Sequence, residues 1–197
     1  MFFRPLCARS GVARQFPAGY NLLMDRFLRA RRKIRNVKHF PIKGITFKDI
    51  TPLLEDAEIF RSLIDGLAGH FKGAKIDKVV GIDARGFLLA SAVAYLLRAG
   101  MVIVRKKGKL PYKTIMREHD LEYGKSSLEI HVDAIKKGER ILIIDDVLAT
   151  GGTAGAAVKL VNALHGKIVG LGFLLEITKL GGRKKLRRYR IESLLSF

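Results

Sequence analysis

The chain has 197 residues, the size of one ordinary domain, and its composition is 48% hydrophobic with 20 glycines and 5 prolines. These values exclude wholesale disorder, collagen-like repeats and low-complexity sequence. The 37 Lys and Arg residues outnumber the 18 Asp and Glu residues, so the net charge of +19 predicts attraction to nucleic acid, an anionic membrane or a phosphate-rich small molecule. The single cysteine, Cys7, excludes an internal disulfide and a cysteine-built zinc site, and favours a reducing compartment.

The basic excess is concentrated in two segments. Residues 1–38 carry ten basic residues and one acid, and residues 179–190 carry seven basic residues and no acid. Residues 1–23 are apolar, Arg-bearing and free of acids, a composition typical of organelle transit peptides. A disordered tail, or a misread start upstream of Met24, explains the same stretch. We therefore exclude residues 1–23 from the predicted fold, assign 24–197 to one domain, and expect a cytoplasmic protein unless residues 1–23 direct it to an organelle.

From Met24 onward, helical and strand patterns alternate along the chain. The spacing of apolar residues predicts helices over 25–35, 55–71, 86–98 and 150–164. Runs rich in β-branched and aliphatic residues predict strands over 78–82, 101–105, 127–132, 140–146, 167–177 and 190–195. Residues 106–126 have no clear period and many charged, Gly and Pro residues, so we expect a long loop or flap there.

The strand predicted over 140–146 is apolar on both faces, which is typical of a strand buried in a parallel sheet that helices cover on both sides. The expected fold is therefore α/β. The longest apolar stretch, 86–104, is interrupted by Arg98, and a membrane span needs about 20 continuous apolar residues. We expect a helix, a turn and a buried strand there rather than a membrane span.

The most informative segment is ILIIDDVLATGGTAGAA, residues 141–157. An apolar strand ends in Asp145 and Asp146, and a short loop with Gly151 and Gly152 then opens a helix. Paired glycines let the backbone curl around an anion at a helix start, where amides are free to bind it. The two acids suit hydroxyl groups, so the segment predicts a site for a ribose 5-phosphate. A glycine-rich turn of an ordinary α/β protein is the alternative, and the acid pair makes it the weaker one.

This segment resembles those of type I phosphoribosyltransferases. Four further stretches resemble the adenine phosphoribosyltransferases among them: FPIKGITFKDITP (40–52), GIDARGF (81–87), VRKKGKLP (104–111) and LEYG (121–124). The resemblance extends from about residue 25 to 197. It implies a central, mostly parallel sheet flanked by helices, with a small hood and a flexible flap loop. It also implies purine salvage, in which adenine and phosphoribosyl pyrophosphate give AMP and pyrophosphate, with Mg²⁺ held mainly by substrate and a homodimeric enzyme.

The resemblance assigns the phosphorylated substrate to three groups of residues. Asp145 and Asp146 would accept hydrogen bonds from the ribose hydroxyls, and the 5-phosphate loop would be Ala149, Thr150, Gly151, Gly152 and Thr153. Pyrophosphate would bind at a turn with a cis peptide between its first two residues, and at two cations. The turn is Asp83, Ala84 and Arg85, and the cations are Arg105, which we expect to reach a neighbouring subunit, and Lys109.

The resemblance also assigns the base and the flap. Backbone groups of one segment would pair with adenine, while an apolar side chain covers the opposite face; these residues are Ile45, Thr46, Phe47, Lys48 and, opposite, Ile177. Glu122 is the predicted catalytic base, because adenine must lose a ring proton as it attacks. Tyr123 would close the flap. Lys48 stands where many relatives have Arg, which matters little if the contact is made by the backbone.

A nucleic-acid-binding regulator that senses phosphoribosyl pyrophosphate on the same fold is the rival hypothesis, and the charge of +19 gives it some support. Such a protein could dispense with Glu122, Lys109 and the segment around Phe47. The sequence also has no recognisable helix-turn-helix or aromatic RNA-binding motif. We therefore favour the enzyme, and treat nucleic-acid binding through the basic ends as open but not required.

Overall fold

The computed structural model describes residues 18–121 and 124–197, with side chains described over 25–119 and 126–197. The helices are α1 (Ala18–Lys33), α2 (Thr51–Leu54), α3 (Ala57–His70), α4 (Arg85–Leu97), α5 (Gly152–Ala163) and α6 (Gly182–Lys185). The strands are β1 (Arg35–Lys38), β2 (Thr46–Asp49), β3 (Lys78–Ile82), β4 (Gly100–Lys106), β5 (Thr114–Leu121), β6 (Gly124–His131), β7 (Arg140–Leu148), β8 (Lys167–Glu176) and β9 (Ile191–Ser196).

A large sheet has the strand order β5-β6-β4-β3-β7-β8-β9. The five strands from β4 to β9 in this order run parallel, whereas β6 pairs antiparallel with both β4 and β5. A separate two-stranded antiparallel sheet, β1 with β2, forms the small hood. The predicted α/β fold with a mostly parallel central sheet is confirmed.

The core lies on both faces of the large sheet, as the continuous apolar run in β7 predicts. Leu142 and Ile144 belong to a buried cluster with residues of α3 and α4. Their neighbours Ile141 and Ile143 belong to a second buried cluster, with residues of α5. Buried clusters on both faces of the sheet therefore fix the carboxyl end of β7, from which the chain continues into α5.

Helix α1 begins earlier than the predicted start at residue 25. It starts at Ala18 and crosses the expected boundary at residue 23. The residues that extend the helix include Leu22, Leu23 and Met24, which are good helix formers. Residues 1–17 lie outside the described part of the chain, so a targeting role for the extension stays a prediction. None of the described helices is long and apolar enough to cross a membrane.

The expectation of a long loop or flap over 106–126 is wrong for most of that segment. Strands β5 and β6 form an antiparallel hairpin there, paired from Thr114 with His131 to Leu121 with Gly124. The hairpin packs against α5. Strand β5 lies at the edge of the sheet with Arg117 and Glu118 exposed, so it needs little of the apolar alternation that identifies a buried strand.

Candidate active site

A cavity of about 240 Å³ opens beyond the carboxyl ends of β3 and β7, where an α/β sheet ordinarily binds its ligand. It is lined by the hood, by the turn after β3, by the segment from β7 into α5 and by the residue after β8. The lining residues are Ile45, Thr46, Phe47, Lys48, Asp83, Ala84, Arg85, Asp145, Asp146, Val147, Leu148, Ala149, Thr150, Gly151, Gly152, Thr153, Ala154 and Ile177. One cavity therefore collects the predicted ribose, phosphate and adenine residues and the predicted pyrophosphate turn.

The acid pair lies at the end of β7, and both side chains are buried. The Asp145 carboxylate accepts a hydrogen bond from the Asp146 backbone N–H at 2.9 Å, and Arg85 Nε lies 2.7 Å from Asp146 Oδ2. Burial and the neighbouring charge of Asp146 raise the pKa of Asp145 well above its usual value. The pair thus presents carboxylate oxygens to the cavity. The positive charge of Arg85 offsets only part of the repulsion between the two carboxylates.

The predicted phosphate loop joins the acid pair to the start of α5. Gly151 caps this helix with φ +77°, a left-handed conformation that glycine adopts without the cost of a Cβ. Its carbonyl oxygen accepts the Gly155 N–H at 2.9 Å, which closes the first helical turn. The backbone N–H groups before Gly155, at the start of α5, have no carbonyl partner within the helix and are suited to bind an anion.

Gly182 shapes the same loop and was missed by sequence reasoning. Its N–H donates to the Ala149 carbonyl oxygen at 3.1 Å, and a Cβ on Gly182 would collide with that oxygen. A Cβ on Gly151 would in turn lie 2.9 Å from the Gly182 carbonyl oxygen. The only signal in the sequence is the pair Gly181-Gly182 within the basic segment 179–190, whose charge does not indicate a contact with the phosphate loop.

The turn after β3 has the predicted cis peptide bond between Asp83 and Ala84. The next residue, Arg85, forms the ion pair with Asp146, and its guanidinium carbon lies 4.8 Å above the centre of the Phe47 ring. A single side chain therefore contacts both the acid pair and the hood. Gly86 lets this turn pack against the acids, since a Cβ there would lie 2.7 Å from Asp145 Oδ1.

The two predicted pyrophosphate cations, Arg105 and Lys109, do not line the cavity. Arg105 is nevertheless tied to its edge: Nε donates to Asp83 Oδ2 at 3.2 Å, and Nη1 donates to the Lys109 carbonyl oxygen at 3.0 Å. Lys109 lies in the turn after β4. Within one chain, Arg105 thus connects the Lys109 turn to the turn that carries the cis peptide.

Glu129, on β6, holds the Lys109 turn from the other side and was also missed by sequence reasoning. It is buried, and Oε1 accepts the backbone N–H groups of Lys109 and Leu110, both at 2.9 Å. Burial by itself raises the pKa of Glu129, but backbone N–H groups of the turn outweigh it and hold the pKa below its usual value. No motif identifies Glu129, because the turn that it binds is about twenty residues away in the sequence.

The base side of the cavity comes from two separate sheets. Phe47, on β2, contacts the Phe40 ring edge-to-face with 5.2 Å between ring centres. The Lys48 ammonium group donates to Asn36 Oδ1 at 2.6 Å, so its charge is engaged within the hood. Ile177 follows β8 of the large sheet. The structure therefore brings the predicted adenine residues together from two layers.

Glu122 and Tyr123 lie outside the described residues, so their roles stay predictions. Across residues 18–121 and 124–197, no group of three or more His, Cys, Asp or Glu side chains is placed to hold a metal ion. The cavity is lined by the carboxylates of the acid pair and of Asp83, and oxygen ligands of this kind suit Mg²⁺, which keeps waters and binds substrate phosphates.

The fold and the cavity define a phosphoribosyltransferase, and the family model of the phosphoribosyl transferase domain matches residues 50–194. An adenine phosphoribosyltransferase of Geobacter metallireducens is 58% identical over 164 residues, which cover 83% of this chain and 96% of that protein. One from Anaeromyxobacter dehalogenans is 52% identical over 167 residues, which cover 85% of this chain and 97% of that protein. The chain belongs to the adenine phosphoribosyltransferase family.

Solved structures agree with this assignment. The adenine phosphoribosyltransferase of Rhodothermus marinus has a TM-score of 0.85 at 47% identity, covering 88% of this chain and 99% of that one. The Saccharomyces cerevisiae protein, solved with adenine and an imino-altritol bisphosphate, has a TM-score of 0.80 at 35% identity, covering 87% of this chain and 99% of that one. Nothing in these comparisons favours the regulator hypothesis.

Proposed function

We propose that this chain transfers the 5-phosphoribosyl group of phosphoribosyl pyrophosphate to adenine, giving AMP and pyrophosphate in purine salvage. The observation that carries this proposal is the single cavity in which an acid pair and a glycine loop face the hood segment around Phe47. A Trypanosoma brucei relative, 25% identical with a TM-score of 0.79, was solved with AMP, pyrophosphate and ribose 5-phosphate. Those molecules contain the phosphate, ribose and adenine groups that the cavity residues suit.

The β7–α5 segment binds the part of the substrate that stays unchanged. The 5-phosphate is held by the backbone amides around Gly151 and Gly152 at the start of α5. Asp145 and Asp146 accept hydrogen bonds from the ribose hydroxyls. Since both acids are buried, these bonds are made away from bulk water and fix the sugar firmly.

The cationic groups stabilise the charge that develops on pyrophosphate as the glycosidic bond breaks. Arg85 is at the cavity wall, and Arg105 holds the carbonyl of Lys109 close to the same turn. Positive groups fixed in advance lower the barrier without reorganising during the reaction. The acid pair and substrate oxygens would hold Mg²⁺, which would supply further neutralisation of the charge on the leaving group. Glu122 takes the ring proton of adenine as the base attacks.

A homodimer fits the exposed apolar residues of α4. Leu88, Tyr95 and Leu96 are 50%, 84% and 46% exposed, which is unusual for large apolar side chains on one helix. A second copy of the chain that covers this face would remove them from water. The proposed enzyme acts in the cytoplasm and needs no nucleic-acid partner.

The test is AMP formation from labelled adenine with Mg²⁺ and phosphoribosyl pyrophosphate, compared with IMP formation from hypoxanthine. Adenine carries an amine donor where hypoxanthine carries a carbonyl acceptor, so a backbone carbonyl near Thr46 would meet hypoxanthine acceptor to acceptor. Sites of this kind reject the wrong group by about 10⁴–10⁵-fold, so kcat/KM for adenine should be higher by orders of magnitude.

The variant Thr46→Val locates the group that reads the base. It should keep this selectivity, because the backbone and not the hydroxyl carries it. Comparable efficiency with hypoxanthine in the wild type would contradict the proposed substrate. Selectivity that collapses only in the variant would assign base recognition to the hydroxyl.

A further inference from the structure

The part of the cavity predicted to bind adenine has two walls, and they belong to different secondary-structure elements. One wall is β2, in the hood, which provides Phe47 and Lys48. The other is Ile177, which follows β8 of the large sheet. A planar ligand between these walls needs a fixed gap, so contacts that span the hood and the large sheet determine how well the ligand fits.

Phe197 makes such a contact through its ring. The Lys48 ammonium lies 4.4 Å from the ring centre, and the Arg31 guanidinium carbon lies 4.7 Å from it. Both distances are within the range of cation–π attraction, which an aliphatic side chain cannot provide. Lys48 and Phe47 are neighbours on β2, so the ring holds the strand that forms the first wall.

The backbone of Phe197 holds the second wall. Its N–H donates to the Glu176 carbonyl oxygen at 2.9 Å. Its carbonyl oxygen accepts the Thr178 N–H at 2.9 Å and the Thr178 hydroxyl at 2.8 Å. These bonds anchor the residues directly before and after Ile177, so they fix the position of Ile177 at the cavity.

We propose that Phe197 is a positioning residue that sets the gap between the two walls of the base side. It touches no reacting atom and acts through Lys48 and through the residues flanking Ile177. That the occupant of this gap is adenine rests on the proposed function. Sequence reasoning did not single out Phe197, because it is a lone aromatic residue far along the chain from the hood.

The first test compares Phe197→Leu with Phe197→Tyr. Leu keeps an apolar side chain but loses the ring face, so KM for adenine should rise about three- to tenfold, the size expected when cation–π attraction is lost. Turnover and KM for phosphoribosyl pyrophosphate should stay within about twofold, because the β7–α5 segment is not touched. Tyr keeps the ring and should restore KM for adenine to the wild-type value.

Arg31→Met is the matched control. It removes a cation from the same ring, but Arg31 belongs to α1 and forms no wall of the cavity. KM for adenine should therefore stay near the wild-type value. The proposal is overturned if Arg31→Met raises KM for adenine as much as Phe197→Leu does, or if Phe197→Leu raises both KM values equally.

Hydrogen exchange provides a second readout that needs no activity. Phe197→Leu should speed amide exchange at β2 and leave β7 unchanged, since the cations that lose the ring are Lys48 of β2 and Arg31 of α1. Unchanged exchange at β2 would overturn the proposal even if the wild type did not use adenine. A wild type inactive on adenine, with faster exchange at β2 in the variant, would contradict the proposed function and leave the positioning role supported.

Discussion

The β7–α5 segment and the β5–β6 hairpin side of the site are built in opposite ways. The acid pair and the phosphate loop come from one run of residues, 145–153, whose backbone passes from strand to helix. On the hairpin side, Arg105 on β4 and Glu129 on β6 hold the Lys109 turn by hydrogen bonds, and Glu129 lies 20 residues further along the chain than Lys109. The first arrangement is local and can be read from a motif. The second exists only after strands have paired.

The largest effect should come from loss of the predicted catalytic base, Glu122. Glu122→Gln removes the carboxylate that takes the ring proton, so kcat should fall by about 10²–10⁴-fold, the usual contribution of general acid–base groups. KM for both substrates should change little, because Glu122 is assigned to proton transfer and other residues to substrate binding. Steady-state kinetics at saturating substrate measures this, and near-wild-type turnover would exclude Glu122 as the base.

A smaller but still large effect is expected in the phosphate loop. Gly151→Ala places a Cβ at a φ of +77° and 2.9 Å from the Gly182 carbonyl oxygen, so the loop must shift. Affinity for phosphoribosyl pyrophosphate, measured by calorimetry, should fall by about tenfold or more, since a left-handed non-glycine residue alone costs about 1–2 kcal/mol.

Gly155→Ala is the control for that substitution. It lies one turn into α5, where a Cβ would meet nothing within 4 Å. Alanine also favours a helix over glycine by about 1 kcal/mol, so this variant should bind normally and unfold at the same or a higher temperature. Equal loss of affinity in both variants would show that α5 as a whole, and not the loop, governs binding.

The Lys109 turn should show an intermediate effect. Glu129→Leu leaves buried N–H groups without an acceptor, which costs about 1–3 kcal/mol of stability. KM for phosphoribosyl pyrophosphate should rise about five- to tenfold, because the turn with Lys109 and its contact to Arg105 lose their anchor. Glu129→Gln keeps the oxygen that accepts both amides and should be milder.

Glu139→Leu tests whether stability alone explains that result. Glu139 accepts the Lys136 N–H at 2.7 Å, and it does not line the cavity. Its loss should lower Tm without changing KM. If Glu139→Leu and Glu129→Leu raise KM equally, the anchoring role of Glu129 is wrong.

The smallest expected effect concerns the stability of the acid pair. Because the pKa of Asp145 is raised in the folded state, the folded state loses stability as pH rises above the usual pKa of an aspartate. Asp145→Asn should therefore raise Tm at neutral pH, by about 2–4 °C for each kcal/mol of relieved repulsion, while it weakens binding of phosphoribosyl pyrophosphate. The gain in Tm should shrink as pH falls toward the usual pKa of an aspartate, because the wild-type group is then protonated in both the folded and the unfolded state. A lower Tm at neutral pH would contradict this.

The sequence was sufficient for the parallel sheet, because β7 is apolar on both faces, and for the phosphate loop, because its residues are adjacent. It was not sufficient for β5, an edge strand whose exposed charges resemble a loop. Glu129 and Gly182 were missed because each acts on a backbone segment distant in sequence. Local chemistry was thus predictable, whereas the groups that hold it in place depend on tertiary pairing.

The contact between Gly182 and the phosphate loop limits how this loop can be transplanted. A designer who grafts residues 145–153 onto another strand–helix junction would carry over the acids and glycines but not the backbone that presses on Ala149 and Gly151. The smallest portable unit is the loop together with the turn at Gly181 and Gly182. By the same reasoning, substitutions in this turn and in the loop should be epistatic, because each backbone leaves the other no room for an added Cβ.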